Sequence, residues 1–308
     1  MCRCLESKVT IDTSTLERIV YDPQTILENE EAFWEEEKPQ KYTKLWAEAV
    51  GYTIPFDRWR QWMREWADMA PEERENHELM RNTRTIIERK DEFLHKAIPH
   101  LCSYLPPDAD LNVTVRLTAF IPPYAFAWED IVISINSPYW KGKVENVLNL
   151  LVHEIFHAGY SWCREHRQEE ELVDQPVYKM LANMHSEGVC TYVAYRALPL
   201  LPAPDVEDYQ LLQSQEQVVR SLGIVNEAFS KVGVEDEEAL SKFVWEQCVV
   251  GRAYYVVGAY MCQVIEERMG RAALIETLEQ GPAFFVRLYN STVPPHLAIR
   301  LTGTPWPR

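Results

Sequence analysis

The spacing of apolar residues changes twice along the chain, and each change predicts a different kind of element. Residues 1–40 show no sustained period and end in the acidic run Glu35-Glu36-Glu37, which predicts a solvated arm or a frayed helix. Over 41–104 the spacing is helical. Trp59, Trp62 and Trp66 recur at i, i+3 and i+7 beside Met63, the stripe of a buried helix face. Pro71-Glu72-Glu73 marks a second helix start running towards His95. His77, His95 and His100 share no ligand spacing and read as surface or capping residues. After Pro106-Pro107 the period drops to two. Leu111–Phe120 alternates apolar and polar and predicts a half-buried strand; Ile131–Asn136, rich in β-branched residues, predicts another. Pro122, Pro123 and Pro138 punctuate these strands. From Val144 onward the helical period returns, with predicted spans 144–164, 176–199, 206–220, 236–248, 251–269, 271–280 and 282–290, closed by Pro294-Pro295.

This order of helices, a small sheet and a long helical half predicts a helix-dominated α+β fold. It divides the chain into an N-terminal helical region, 1–105, and a second part, 106–308. Within the latter a small sheet occupies 111–136, one helix group 144–199 and a C-terminal helical part 206–308. Composition agrees, since only 11 of 308 residues are Gly, too few for a turn-rich all-β fold. Lys and Arg number 31 against 47 Asp and Glu, a formal charge of −16 that repels phosphate backbones and argues against nucleic-acid partners. Hydrophobic residues at 46% and charged residues at 25% indicate a globular chain. No apolar run approaches the roughly 18 residues of a membrane span, so no membrane partner is expected. The first eight residues lack the apolar core of a secretory signal. The seven cysteines, at 2, 4, 102, 163, 190, 248 and 262, are scattered and odd in number, which predicts reduced thiols and a cytoplasmic location. Nothing in the sequence signals an oligomeric state.

The sharpest chemical feature is His153-Glu154-Ile155-Phe156-His157 inside an apolar, helix-period frame. Positions i and i+4 lie on one helix face, so two imidazoles can meet one divalent ion, with Glu154 close enough to touch a water on it. A purely structural reading would bury three polar groups among Leu150, Leu151, Val152, Ile155 and Phe156 with no offset for their desolvation. Tetrahedral catalytic zinc needs a third protein ligand and an open position. Where one zinc-site class places a third His after a Gly, this chain has Cys163 and Tyr160. A carboxylate on a later helix is the alternative, and Glu187 opens the apolar-periodic stretch 187–195. Its rivals are Glu169, Glu170 and Glu171 (a charge run whose default is a solvated face), Asp174, His166 and His185. His185 and Glu187 are two apart, so one helix cannot aim both at one ion.

Together these motifs resemble those of the gluzincins, zinc peptidases that use two His and one Glu as ligands. More narrowly they are similar to the catalytic domain of aminopeptidase N-type enzymes. Ser186-Glu187-Gly188-Val189-Cys190-Thr191-Tyr192 is similar to that family's Asn-Glu-Gly-aromatic-Ala-x-Tyr, and Tyr255-Val256-Val257-Gly258 to its Tyr-x-x-Gly helix, with matching spacing to Gly270. The resemblance covers roughly 131–290. It implies a thermolysin-like zinc-peptidase core within a zincin-like catalytic domain, 106–308, to which an N-terminal helical region is added. It implies Zn2+ held by His153, His157 and Glu187, Glu154 as the base, and Tyr255 as the hydroxyl that stabilises the oxyanion. Two departures stand out. The stretch between His157 and Glu187 is longer than in that family, implying an insertion around 163–180, and the Gly-x-Met-Glu-Asn segment that grips a free amino terminus is absent. The zinc chemistry therefore carries over without the aminopeptidase specificity, a reduced pattern shared by uncharacterised predicted zinc-dependent proteases.

Read from the residues alone, Tyr255 is either a core tyrosine or a hydroxyl aimed at the site, with Tyr192, Tyr195, Tyr260, Arg252 and His185 as reserve electrophiles. Gly258 suits a close helix approach, and Thr191, one turn after Glu187, suits a partner for the far nitrogen of a ligand His. Strand 131–136 is either an edge that pairs with an extended peptide or an interior strand. The lone His296 reads as structural, in a tail that folds back on the core. The leading expectation is a zinc-dependent peptidase acting on a peptide or small amide substrate. A second reading is a helical binding or scaffold protein whose structural zinc is closed by Cys163, Cys190 or His166. A third is a zinc hydrolase of a non-peptide amide or ester.

Overall fold

Val9 and Ile11 alternate with polar neighbours, and that spacing puts both on the buried face of an N-terminal strand, β1 (Lys8–Asp12). The computed structural model describes residues 8–36, 55–120, 125–127, 131–136, 140–167, 175–203 and 205–301. β1 pairs in parallel with β2 (Asn112–Thr118), Lys8 opposite Asn112. β2 pairs in parallel with β4 (Ile131–Ser134), and the short β3 (Ala125–Ala127) lies antiparallel to β4. The strand order is β1-β2-β4-β3. The strand predicted at 131–136 is therefore interior, and among the described residues the sheet ends at β3 on that side.

Over the described residues 8–36 the expectation of a solvated arm or a frayed helix is corrected. After β1 come α1 (Ser14–Tyr21), α2 (Pro23–Glu28) and α3 (Glu30–Glu36), which bury Leu16, Ile19, Val20, Ile26, Phe33 and Trp34. Helices of 8, 6 and 7 residues are too short to reveal an apolar period, which is why they escape a sequence scan. α4 (Phe56–Asp68) buries Trp59, Met63 and Trp66 as predicted, and Trp59 stacks on Phe33 with ring centroids 5.7 Å apart. Trp62 stays at the rim beneath the Arg58 guanidinium. α5 (Pro71–Asn76) leads into the long α6 (Glu78–Cys102), whose first turn is capped by His77: its ring nitrogen accepts from the Leu79 N–H at 3.1 Å.

The second half is helical: α7 (Val144–His166), α8 (Pro176–Arg196), α9 (Glu207–Leu212), α10 (Gln215–Lys231), α11 (Glu237–Phe243), α12 (Ala253–Met269), α13 (Arg271–Gln280) and α14 (Pro282–Thr292). The span predicted at 206–220 divides because Ser214 caps a new helix, its hydroxyl accepting from the Gln217 N–H. The span at 236–248 divides because the backbone after Phe243 widens into a π-helical stretch, Val244–Val250. α8 and α12 cross where Gly188 meets Gly258. A Cβ on Gly258 would lie 2.4 Å from the Met184 carbonyl oxygen and 2.5 Å from the Gly188 Cα, so only glycine permits this approach. The tail folds back as expected, with Asn290 donating to the Ile299 carbonyl and Asn226 to that of Ala298. One continuous apolar core reaches from Val9 to Ile299.

Cys163, Cys190, Cys248 and Cys262 are free and buried, but Cys102 is disulfide-bonded. The expectation of seven reduced thiols is corrected there, and with it goes one ground for a cytoplasmic location. Pairing depends on distance in the fold, which sequence spacing does not reveal. Among the described residues no single helix is long and apolar enough to cross a membrane.

Candidate active site

Polar anchors at and just after its start fix α7 within the apolar core. At its start the Trp140 indole donates to the Ser134 carbonyl at the end of β4 (2.8 Å), and Asn146 donates to the Trp140 carbonyl (3.1 Å). One turn on, buried Asn149 donates to the carbonyls of Ala194 and Leu201 at 3.1 Å each, tying α7 to the end of α8. His153 follows Asn149 by a further turn.

The two rings project from α7 towards α8. His153 Nε2 and His157 Nε2 are 3.1 Å apart, and Glu187 Oε2 lies 3.4 Å from the first and 3.5 Å from the second. His157 Nδ1 is 3.1 Å from Ser186 Oγ, and His153 Nδ1 is 3.5 Å from Thr191 Oγ1. A proton on each Nδ1, donated to its hydroxyl, leaves both Nε2 lone pairs facing the carboxylate. The donor set suits zinc. Bonds of about 2.0–2.1 Å at tetrahedral angles put ligand atoms about 3.3 Å apart, and the three separations here bracket that value. Among the described residues no further His, Cys, Asp or Glu joins this group.

Glu154, only 6% exposed, sits on α7 beside His153. Burial pushes its carboxyl above the ordinary range, against the opposing pull of the two imidazoles. Burial also acts to raise Glu187, but His157 and His153 outweigh it and hold that carboxyl well below the usual range. Two neighbouring acids thus have opposite proton affinities. Tyr255, half-buried on the first turn of α12, lies nearly parallel to the His153 ring at 6.3 Å between centroids. Its neighbour Tyr254 is fully buried instead.

The other sequence candidates separate from this group. His185 is buried, stacked on Phe285 at 4.3 Å, with its nitrogens 3.3 Å from the Tyr160 hydroxyl and 3.1 Å from that of Thr277. His166 bonds the Trp162 carbonyl and stacks on that indole. Cys190 lies beside His157, where burial raises its thiol to about 11, and burial raises Cys163 to about 12. Tyr192 donates to Glu266, while Tyr195 packs on Tyr209 and Tyr260 on Tyr289. Arg252 is held by Asp208 and lies over the Tyr255 ring. Glu169, Glu170, Glu171 and Asp174 fall outside the described residues, as does part of the insertion expected at 163–180. Sequence reasoning missed two groups. Ser186 could have been found from its place beside Glu187, whereas Asp208 carries no local signal.

No curated protein and no solved structure matches this chain. A family model described as "Putative zinc dependent peptidase (DUF5700)" matches residues 15–293, a span that contains the two imidazoles, both carboxylates and Tyr255. The chain belongs to the DUF5700 family.

Proposed function

We propose that this protein is a zinc-dependent peptidase in which His153, His157 and Glu187 hold the ion. The observation that carries the reading is the convergence of three ligand atoms at 3.1–3.5 Å, with a proton-accepting acid beside them and no fourth His, Cys, Asp or Glu in the group among the described residues. That last feature favours a catalytic centre over the closed site of a scaffold protein. When bound, zinc supplies Lewis acidity, polarising a carbonyl and lowering the pKa of water towards about 7.

The chain's own groups do the rest. Glu154, its affinity for protons raised by burial, takes the proton of the attacking water and passes it to the leaving nitrogen. Tyr255 donates its hydroxyl to the oxygen that gains charge as the carbonyl becomes tetrahedral. Ser186 and Thr191 fix the two rings, so the lone pairs are aimed before the ion arrives. β3 at the end of the sheet offers an edge to an extended peptide, replacing β4 in that role. The net charge of −16 steers basic substrates towards the molecule and disfavours acidic ones. The sequence of sheet, His-bearing helix and Glu-bearing helix is the ground on which we read the core as thermolysin-like.

The test is zinc analysis of protein purified without chelator, followed by parallel screens of a peptide library and of small amides and esters. One zinc per chain and peptide cleavage are expected. Glu154→Gln keeps the zinc and loses about 10²–10⁴-fold in rate. Absence of stoichiometric zinc overturns the reading, and cleavage of small amides or esters alone transfers it to a non-peptide hydrolase.

A further inference from the structure

Between the π-helical stretch and α12 the chain makes a tight break. A Cβ on Gly251 would lie 2.5 Å from the Gln247 carbonyl oxygen, so glycine is required there. The next residue, Arg252, has φ 64°, in the left-handed region where an L side chain is strained and glycine is not. The fold would accept glycine at 252 more easily than arginine, so the side chain needs another reason to be there. Strain of this kind persists where the surroundings over-determine it, and it gathers at functional sites.

The side chain is held on two sides. Its Nε donates to Asp208 Oδ1 at 2.8 Å and its Nη2 to Asp208 Oδ2, a two-pronged grip on a carboxylate only 4% exposed. Its guanidinium carbon stands 3.2 Å from the centroid of the Tyr255 ring, flat-contact distance. Tyr255 is in the first turn of α12, which the Arg252 carbonyl opens by accepting from the Val256 N–H. Asp208 on α9 thus fixes Arg252, and Arg252 covers the ring whose other close aromatic neighbour is the His153 imidazole.

We propose that Arg252 is a positioning residue: clamped by Asp208, it holds the Tyr255 phenol in the orientation that points its hydroxyl at the substrate carbonyl. The kinetic side of this proposal rests on the peptidase reading above, whereas the placement of the ring does not. Arg252→Gly is the informative variant, because it removes the side chain and relieves the backbone together. The unpaired Asp208 carboxylate lowers the melting midpoint, but in folded protein with zinc content unchanged kcat falls about 10²-fold while KM stays within about 3-fold, the pattern of a misplaced group rather than lost substrate binding. Millimolar methylguanidinium restores part of the rate. Asp208→Asn changes kcat in the same direction, and the double variant is no worse than Arg252→Gly alone.

A second readout needs no turnover. In protein labelled with 3-fluorotyrosine, the ¹⁹F resonance assigned to Tyr255 by its loss in Tyr255→Phe shifts or broadens in Arg252→Gly. An unshifted resonance or a wild-type kcat in that variant overturns the proposal. Should Arg252→Gly fail to fold, Arg252→Lys, which keeps the charge and loses the planar fork, is measured the same way, and wild-type behaviour there overturns it equally. If the zinc-loaded wild type cleaves nothing, the peptidase reading falls and the fluorine signal alone decides the placement of the ring.

Discussion

At the scale of single residues, environment separates side chains of one chemical type. Glu154 and Glu187 both face the histidine pair, yet burial raises the first while the imidazoles lower the second. His153 and His185 differ as sharply. The former turns a nitrogen to the carboxylate, while the latter is locked between Tyr160, Thr277 and Phe285. Burial, reinforced by Arg167, pushes the pKa of His185 well below its ordinary 6.5. Folded His185 thus stays neutral where the unfolded chain would take up a proton. Its contribution to stability is whole above pH 6.5 and is lost as pH falls below that value. The melting midpoint of the wild type is expected to drop between about pH 6.5 and pH 5. His185→Gln should melt lower at neutral pH but lose less on acidification. Parallel slopes for the two proteins would remove His185 from the account.

At the scale of elements, the Gly188–Gly258 crossing joins the helix that carries Glu187 to the helix that carries Tyr255. Backbone atoms, not flexible side-chain ends, surround the missing Cβ of Gly258, so neither helix can yield locally. Gly258→Ala is expected to cost about 3 kcal/mol or more, at or beyond the upper end of usual overpacking, and to weaken zinc binding by displacing Glu187. Urea unfolding and zinc titration of that variant check both effects. Elements were legible in the sequence where one period ran long enough. α13 occupies its predicted span, 271–280, and α7 starts at Val144 as predicted. β1 and β3, of five and three residues, were not legible, because so few positions cannot establish a period of two. The paired imidazoles were legible because i and i+4 is a local relation. Glu187 needed a second motif, and the Asp208–Arg252 clamp lay out of reach because its parts meet only in the fold.

At the scale of the whole molecule, a zinc ion bound by α7 and α8 would lock two core helices together. Binding to the folded form alone stabilises it by about 4 kcal/mol when free zinc exceeds its Kd a thousandfold. The melting midpoint in excess zinc is therefore expected to lie several degrees above that in a chelator, and to rise with zinc concentration. Coincident melting curves would show that the ion takes no part in stability.

The parallel pairing of β1 with β2 has a consequence for synthesis. Thr10 and Thr114, whose hydroxyls meet at 3.0 Å, are 104 positions apart in the chain. At ribosomal speeds of about 5–20 residues per second, the first strand made waits roughly 5–20 s for the strand it must lie against. During that interval Val9 and Ile11 are unshielded on a nascent tether. Of the strands of this sheet the earliest made thus stands longest without its partner, and a chaperone that engages it as it emerges has that interval in which to act.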